Sequence, residues 1–343
     1  MIKAPSFWWR KFSFYSLVLY PMSLIYGVVV SWLMRHGRRW DVVVPVLCVG
    51  NFVMGGAGKT PTALALAIAA IDKNLKPGFL SRGYGRKFKF PICVDLSRHG
   101  AFDVGDEPLL LARQATTVVA NNREIGAQML IQEGVDIIIM DDGFHSANLK
   151  ADLSLVVVDS RRGLGNRLVF PAGPLRVPLP TQLLYTDAIL YIENSDNTDF
   201  PVFFTAKPAY FSRLKPRLEF DFSNIKVLVF SCIADTEKFF ITVKNLGAAL
   251  SQCHSFGDHM HLSDKKIEFL LNQAESENLV LVTTEKDAAR LQKRPGIAEK
   301  LLSKCLIIRA DMVFQNPEDP LHLIEMTLAF FSNKKKQHIF NTR

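Results

Sequence analysis

Apolar positions along the chain fall into one long uninterrupted run followed by two series of short ones. From Phe12 to Met34 no residue is charged and most are apolar. At about 1.5 Å per residue these 23 positions make a helix of about 35 Å, enough to cross the hydrocarbon core of a bilayer. Lys3, Arg10 and Lys11 precede the run, and Arg35, Arg38 and Arg39 follow it. Trp8, Trp9, Trp32 and Trp40 stand near its ends, where amphipathic rings favour the membrane interface. The pattern predicts an N-terminal membrane-associated helix within residues 1–40. Pro21 and Gly27 weaken a span, so the helix either crosses or lies in the interface, and a buried helix of a soluble protein is the plainer alternative. No A-x-A-like cleavage site follows, which argues against a removed signal peptide.

Beyond the anchor, short apolar runs alternate with segments of helical period. Val42–Val49, Val135–Met140 and Leu153–Val158 read as buried strands of parallel type. Thr60–Ile71, Asp106–Gln114 and Arg123–Gln132 read as helices, with Pro61 in the first turn of its helix, where a missing N–H costs nothing. Strand–helix alternation of this kind predicts βαβ units in an open α/β sheet over residues 41–200. Residues 201–225 mix aromatic, basic and proline residues without helical period and read as a stranded linker. A second series then predicts a smaller α/β lobe over 226–343. Its strands are Val227–Phe230, Leu279–Thr283 and Leu306–Arg309, and its helices are Glu237–Leu250, Asp264–Ala274 and Pro320–Phe331. Lys334–Lys336 reads as a solvated tail.

Composition narrows the class. The 343 residues are 48% hydrophobic and 22% charged, which excludes wholesale disorder and a polytopic membrane protein. A net charge of +8 suits an anionic partner, but no nucleic-acid module or basic–aromatic stripe accompanies it. Five scattered cysteines without a CxxC pair point to free thiols in a reducing compartment.

The chemistry begins at Gly50–Thr60, between the first strand and the first helix. Gly55, Gly56, Ala57 and Gly58 let the backbone turn and aim N–H groups at one anion, reinforced by the helix N-terminus. Lys59 can reach β- and γ-phosphates, and the Thr60 hydroxyl can bind Mg²⁺. The strict phosphate-loop pattern fails only at Val53, where a glycine would stand. The apolar strand ending in Asp141 and Asp142 sets two carboxylates at the ligand-binding edge of the sheet. There one can hold Mg²⁺ or its water while the other acts nearby. The fold expected is therefore a P-loop NTPase-like parallel-sheet core with a second lobe closing the cleft.

These motifs, taken in order, resemble the tetraacyldisaccharide 4′-kinases (lipid A 4′-kinases) of Gram-negative bacteria. The resemblance runs from the apolar helix and GNFVMGGAGKTP through SRGYGR (81–86), VGDEPLLLA (104–112), DDGFH (141–145) and PAGPLR (171–176) to GDHMH (257–261) and TTEKDAARL (283–291). It implies ATP- and Mg²⁺-dependent phosphorylation of the 4′-hydroxyl of a tetraacyldisaccharide 1-phosphate to give lipid IVA. It also implies two α/β lobes anchored at the cytoplasmic face of the inner membrane, with no protein partner. It makes Asp106 resemble the general base, Glu107 a Mg²⁺-associated carboxylate and His259 the partner of Asp106. Without the resemblance, Gly105–Pro108 reads as plain helix capping.

Arg82, Arg86 and Arg176 lie in Gly/Pro-rich loops and are the arginines expected to meet substrate or nucleotide phosphates. Thr284–Asp287 fits a capping box and is assigned structure alone. Two departures stand out: His145 where many members have Gln, and Cys232-Ile-Ala234-Asp235 where an AGIG-type turn is usual. The competing classes are a P-loop GTPase or metallochaperone-type ATPase, against which the lack of NKxD and the Met54 before the glycine pair count, and a nucleotide-regulated membrane scaffold, which leaves Asp106 and Asp141 without a purpose.

Overall fold

The structure is a computed structural model and describes residues 5–56, 58–146, 148–193, 206–217 and 220–341. After a 3-10 turn (Ser6–Trp9) comes the long helix α1 (Phe14–His36). The first lobe follows: β1 (Val46–Asn51), α2 (Lys59–Asp72), β2 (Pro77–Ser81), β3 (Ile92–Cys93), α3 (Ala101–Val104), α4 (Asp106–Ala112), β4 (Thr116–Val119), α5 (Arg123–Gln132), β5 (Ile137–Asp141), β6 (Leu153–Asp159), α6 (Leu179–Leu184), β7 (Ala188–Glu193) and β8 (Ala209–Pro216). The second lobe holds β9 (Lys226–Ser231), α7 (Thr236–Asn245), β10 (Ala249–Ser255), α8 (Asp264–Ser276), β11 (Val280–Thr284), α9 (Glu285–Leu291), α10 (Ile297–Lys304) and β12 (Cys305–Ile308). The chain ends on β13 (Ala310–Phe314) and α11 (Asp319–Asn341).

Among the described residues the strands form two sheets. The larger has nine strands in the order β13-β8-β7-β6-β1-β5-β2-β4-β3, the smaller four in the order β10-β9-β11-β12. β1 runs parallel between β5 and β6, with Val49 level with Asp141. Every residue of β1 and β5 is buried, as a sheet covered on both faces requires. The ends of β1 and β5 therefore bring the phosphate loop and the two aspartates to one edge.

The boundary of the second lobe differs from the one expected. It closes at β12, because β13 pairs antiparallel with β8 in the large sheet. The buried Leu323 and Ile324 of α11 join the first lobe's core alongside α2. Lys334 is no solvated tail residue: it ion-pairs with Asp41 and, at 3.2 Å, with the buried Asp152. β8 likewise makes Ala209–Pro216 of the expected linker a strand of the large sheet, pairing parallel with β7. The helix expected over Glu237–Leu250 stops at Asn245. Gly247 then turns the chain at φ +96°, and Ala249 opens β10.

α1 lies along the first lobe. Ser16, Ser23, Gly27 and Met34, on one stripe, are its buried residues. Ser23 Oγ donates to the Val169 carbonyl at 2.6 Å, Asn166 Nδ2 donates to Ser16 Oγ at 3.1 Å, and Gly27 sits against Pro178. Trp8, itself buried, donates its indole N–H to the Pro171 carbonyl at 3.0 Å. Most of the rest of α1 is apolar and open, with Leu17, Ile25 and Val28 at 60, 69 and 71% exposure.

Candidate active site

The phosphate loop joins β1 to α2. Gly58 adopts φ +80°, and a Cβ there would fall 2.3 Å from Ile192 Cδ1, so this position takes only glycine. Asn51 Nδ2 and Lys59 Nζ both donate to the Gly55 carbonyl, at 3.0 and 3.4 Å, drawing the loop into a cradle beside the first turn of α2. Gly55 and Gly56 are exposed within it, and Ala57 lies outside the described residues. Ala234 of the second lobe stands above Gly56. The departure at 232–235 thus forms a cover over the loop, held there by ion pairs from Arg161 and Arg162 to Asp235.

Asp141 and Asp142, though adjacent, sit in opposite electrostatic surroundings. Asp141 accepts from the Thr60 hydroxyl at 3.0 Å through one oxygen, and its other oxygen is buried without a partner. Burial, reinforced by the charge on Glu107, pushes its pKa up to about 7 against the pull of Lys59. Asp142, at φ +58°, turns toward Lys59 (3.7 Å) and Arg176 (3.2 Å). Burial opposes its charge, but those two cations outweigh it and hold the carboxyl well below the usual range. Arg123, buried beneath, donates to the Asp142 carbonyl at 3.3 Å.

The unpartnered Asp141 oxygen, the Thr60 hydroxyl and the Glu107 carboxylate are hard oxygen donors of the kind Mg²⁺ takes. Among the described residues no group of three or more His, Cys, Asp or Glu side chains could hold a metal. These donors therefore fit an ion that completes its coordination with phosphate and water oxygens, the usual habit of Mg²⁺.

Asp106 opens α4 after Gly105, whose φ of +96° makes the turn. It is buried between the lobes. His259 reaches it from the loop after β10, with Nδ1 3.2 Å from both carboxylate oxygens. That loop residue sits at φ +54°, its own N–H bonded to the Cys232 carbonyl at 3.0 Å. Arg290 of α9 also donates to Asp106, and the Glu107 N–H does so at 3.0 Å. Burial disfavours the Asp106 charge, yet the His259 hydrogen bond and the Arg290 guanidinium hold its pKa far below normal. The same contact acts on His259, where burial lowers the pKa but bonding to Asp106 wins and raises it. Glu107 meets Lys286 Nζ at 2.6 Å.

The structure therefore brings Asp106, Glu107, His259, Asp141, Asp142, Lys59, Thr60 and Arg176 to one cleft. Arg82 is exposed in the adjacent loop, close enough for its charge to act on Arg123. Arg86 is not brought there. It is buried in the first lobe and donates to the carbonyls of Phe90 (2.9 Å) and Val119 (3.3 Å) and to Asn121 Oδ1 (3.2 Å), which makes it a brace for its own loop rather than a phosphate contact. His145 is partly buried against Gln182 at 2.7 Å, and desolvation drops its pKa to about 4, which favours the neutral ring at physiological pH. Sequence reasoning missed Lys286 and Arg290. Their i, i+4 spacing in TEKDAAR was the available signal, hidden by the capping box, which is also real: Thr284 Oγ1 accepts from the Asp287 N–H at 3.2 Å.

Comparison with known proteins covers the whole of this arrangement. The model of the tetraacyldisaccharide-1-P 4′-kinase family matches residues 15–328. The chain is 48% identical to a tetraacyldisaccharide 4′-kinase of Rhizobium leguminosarum bv. trifolii over 330 residues, 95% of this chain and 92% of that one. It is 49% identical to the enzyme of the same name from Rhizobium rhizogenes, again over 330 residues, 95% of this chain and 93% of the relative. Its fold matches the crystal structure of LpxK from Aquifex aeolicus in complex with ATP with a TM-score of 0.72 at 26% identity, covering 91% of this chain and 99% of the other.

The raised pKa of Asp141 has a testable consequence. Its folded value, about 7, lies above the ordinary 3.8, so ionising it costs the metal-free fold stability. The penalty is absent below about pH 4, grows as pH rises and is complete above about pH 7. Asp141→Asn removes it. Thermal melts of metal-free protein should show the variant more stable than wild type at pH 8, with the difference vanishing toward pH 4. A variant less stable at pH 8 contradicts the assignment.

Proposed function

The chain belongs to the tetraacyldisaccharide-1-P 4′-kinase family, and on that premise we propose how its residues carry the reaction. It is a lipid kinase of lipid A biosynthesis. The bond between the β-bridging oxygen and the γ-phosphorus of ATP breaks, and a bond from the 4′-hydroxyl oxygen of the disaccharide 1-phosphate to that phosphorus forms. The GTPase, metallochaperone and scaffold readings fall away with the family.

The observation that carries the residue assignment is the meeting of Asp106 and His259 at 3.2 Å across the lobes. The 4′-hydroxyl must lose a proton, and Asp106 accepts it. A carboxylate held so firmly ionised is a weak base, which suits a loose phosphoryl transfer, where the hydroxyl becomes acidic only as its oxygen bonds to phosphorus. His259 orients Asp106 and takes up the charge change. Residues 55–60 cradle the phosphates. Lys59 moves from Asp142 to the β- and γ-oxygens, with Arg176 left to hold Asp142. Thr60, Asp141 and Glu107 would hold Mg²⁺, which would neutralise charge between the β- and γ-phosphates. Arg82 is the remaining arginine placed to meet a substrate phosphate.

The docked stripe of α1 extends from Ser16 to Met34, so the helix cannot leave the lobe to cross a bilayer without giving up those contacts. It lies instead in the interface, open face down, with the flanking arginines and lysines at the lipid phosphates. The catalytic lobes are then on the cytoplasmic face of the inner membrane, where ATP is.

Two experiments test this reading. Detergent-solubilised protein given γ-labelled ATP and the disaccharide monophosphate should label the lipid, and Lys59→Ala should abolish transfer while the fold survives, because a phosphate-loop lysine supports no core. Label released only as free phosphate, or a near-normal rate for Lys59→Ala, contradicts it. Separately, the wild-type protein should float with anionic phospholipid vesicles, and the triple variant Leu17→Asp/Ile25→Asp/Val28→Asp should not, with ATP binding unchanged in both. Flotation of the triple variant overturns the interfacial placement of α1.

A further inference from the structure

The second lobe presents more than a histidine to the first. Lys286 and Arg290 stand one turn apart on α9, and each meets one of two consecutive residues at the start of α4: Lys286 bonds Glu107 at 2.6 Å and Arg290 ion-pairs with Asp106. The Arg290 guanidinium is fixed by its own lobe first. Its Nη1 donates to the Cys232 carbonyl at 2.7 Å and to Asp287 Oδ1 at 2.8 Å, and Asp287 Oδ1 in turn accepts from the Cys232 N–H at 3.0 Å. Nη2 goes to Asp106 Oδ2 and also lies 3.4 Å from His259 Nδ1. Arg290, Asp106 and Asp287 are all buried.

Two features separate this arrangement from a simple strap between lobes. A strap is already supplied at the rim, where Arg113 meets Glu285 at 2.6 Å with both partners partly exposed. The two α9 side chains instead end on the carboxylates assigned to the base and the metal, Arg290–Asp106 buried and Lys286–Glu107 about as open as the rim pair. A donor fork held by two bonds within its own lobe, one of them to an anchored carboxylate, fixes the direction of what it touches, because little freedom remains to be lost on contact.

We propose that Lys286 and Arg290 are positioning residues for phosphoryl transfer. Arg290 sets the Asp106 carboxylate toward the acceptor hydroxyl, and Lys286 sets Glu107. Both do so only while the second lobe is closed on the first, so alignment of the centre depends on closure. This rests on the kinase reading above and adds to it that α9, which reads in sequence as a capped structural helix, aligns the reaction centre.

The test is steady-state kinetics on the full-length protein, with Tm measured alongside. Lys286→Met should lower kcat on the order of 10²-fold, the scale at which a misplacement of about 1 Å acts, while KM for ATP stays within about threefold and Tm is unmoved. Lys286→Arg should recover most of that loss. Arg290→Lys keeps the charge but loses the fork and should lie between wild type and Lys286→Met. Arg113→Ala, which cuts only the rim strap, should leave kcat within about threefold of wild type. The inference is overturned if Lys286→Met and Arg290→Lys both keep near-normal kcat, if Arg113→Ala loses as much as they do, or if the losses follow a falling Tm. Wild-type protein that transfers no label to the lipid fails the kinase reading itself; active wild type with undiminished variants fails this inference alone.

Discussion

A single carboxylate buried between two lobes organises this molecule. Asp106 belongs to the first lobe, and its charge is compensated mainly from the second, by Arg290 and His259. An ion pair taken out of water recovers its desolvation cost only with close geometry, and removing one partner of such a pair typically costs about 3–5 kcal/mol. The lobes therefore have one favoured arrangement, set at the residue the chemistry needs. The rim pairs Arg113–Glu285 and Arg161–Asp235 lie on the surface and contribute less.

The remaining charges around the cleft follow the same pairing. Asp142 is balanced by Lys59 and Arg176, and Glu107 by Lys286. Asp141 is left with a hydroxyl on one oxygen and nothing on the other, and its raised pKa is the electrostatic expression of that deficit. A divalent cation arriving with nucleotide phosphates would correct it. Of the four carboxylates, Asp141 is the one with no ion-pair partner of its own, in the place where a phosphoryl-transfer enzyme brings its metal.

Much of this was legible in the chain. Gly55–Thr60 and Asp141–Asp142 are local signals, a turn that needs glycine and an apolar strand that ends in acids, and both lie where the pattern put them. What local pattern could not supply was address. β13 has the alternation of any half-buried strand, and nothing in Ala310–Phe314 says that it returns to the first sheet beside β8. The helix expected over Glu237–Leu250 runs two residues into β10, because the apolar period continues past the stop that Gly247 makes at φ +96°. Arg86 and Lys286 make the same point about side chains: one arginine in a glycine-rich loop proved to be a buried brace, and one lysine in a capping box met a catalytic-site carboxylate. Such partners are set by contacts 33 and 179 residues away in sequence, and spacing within a motif carries no trace of them.

The central claim is that Asp106 and His259 work as one unit across the closed lobes. The most direct measurement is a double-mutant cycle on kcat with Asp106→Asn, His259→Ala and the two combined. Each single change should lower the rate by a factor on the order of 10²–10⁴, and the double variant should be little worse than the more damaging single, since residues acting together are not additive. Losses that multiply in the double variant would show two independent roles and contradict the account.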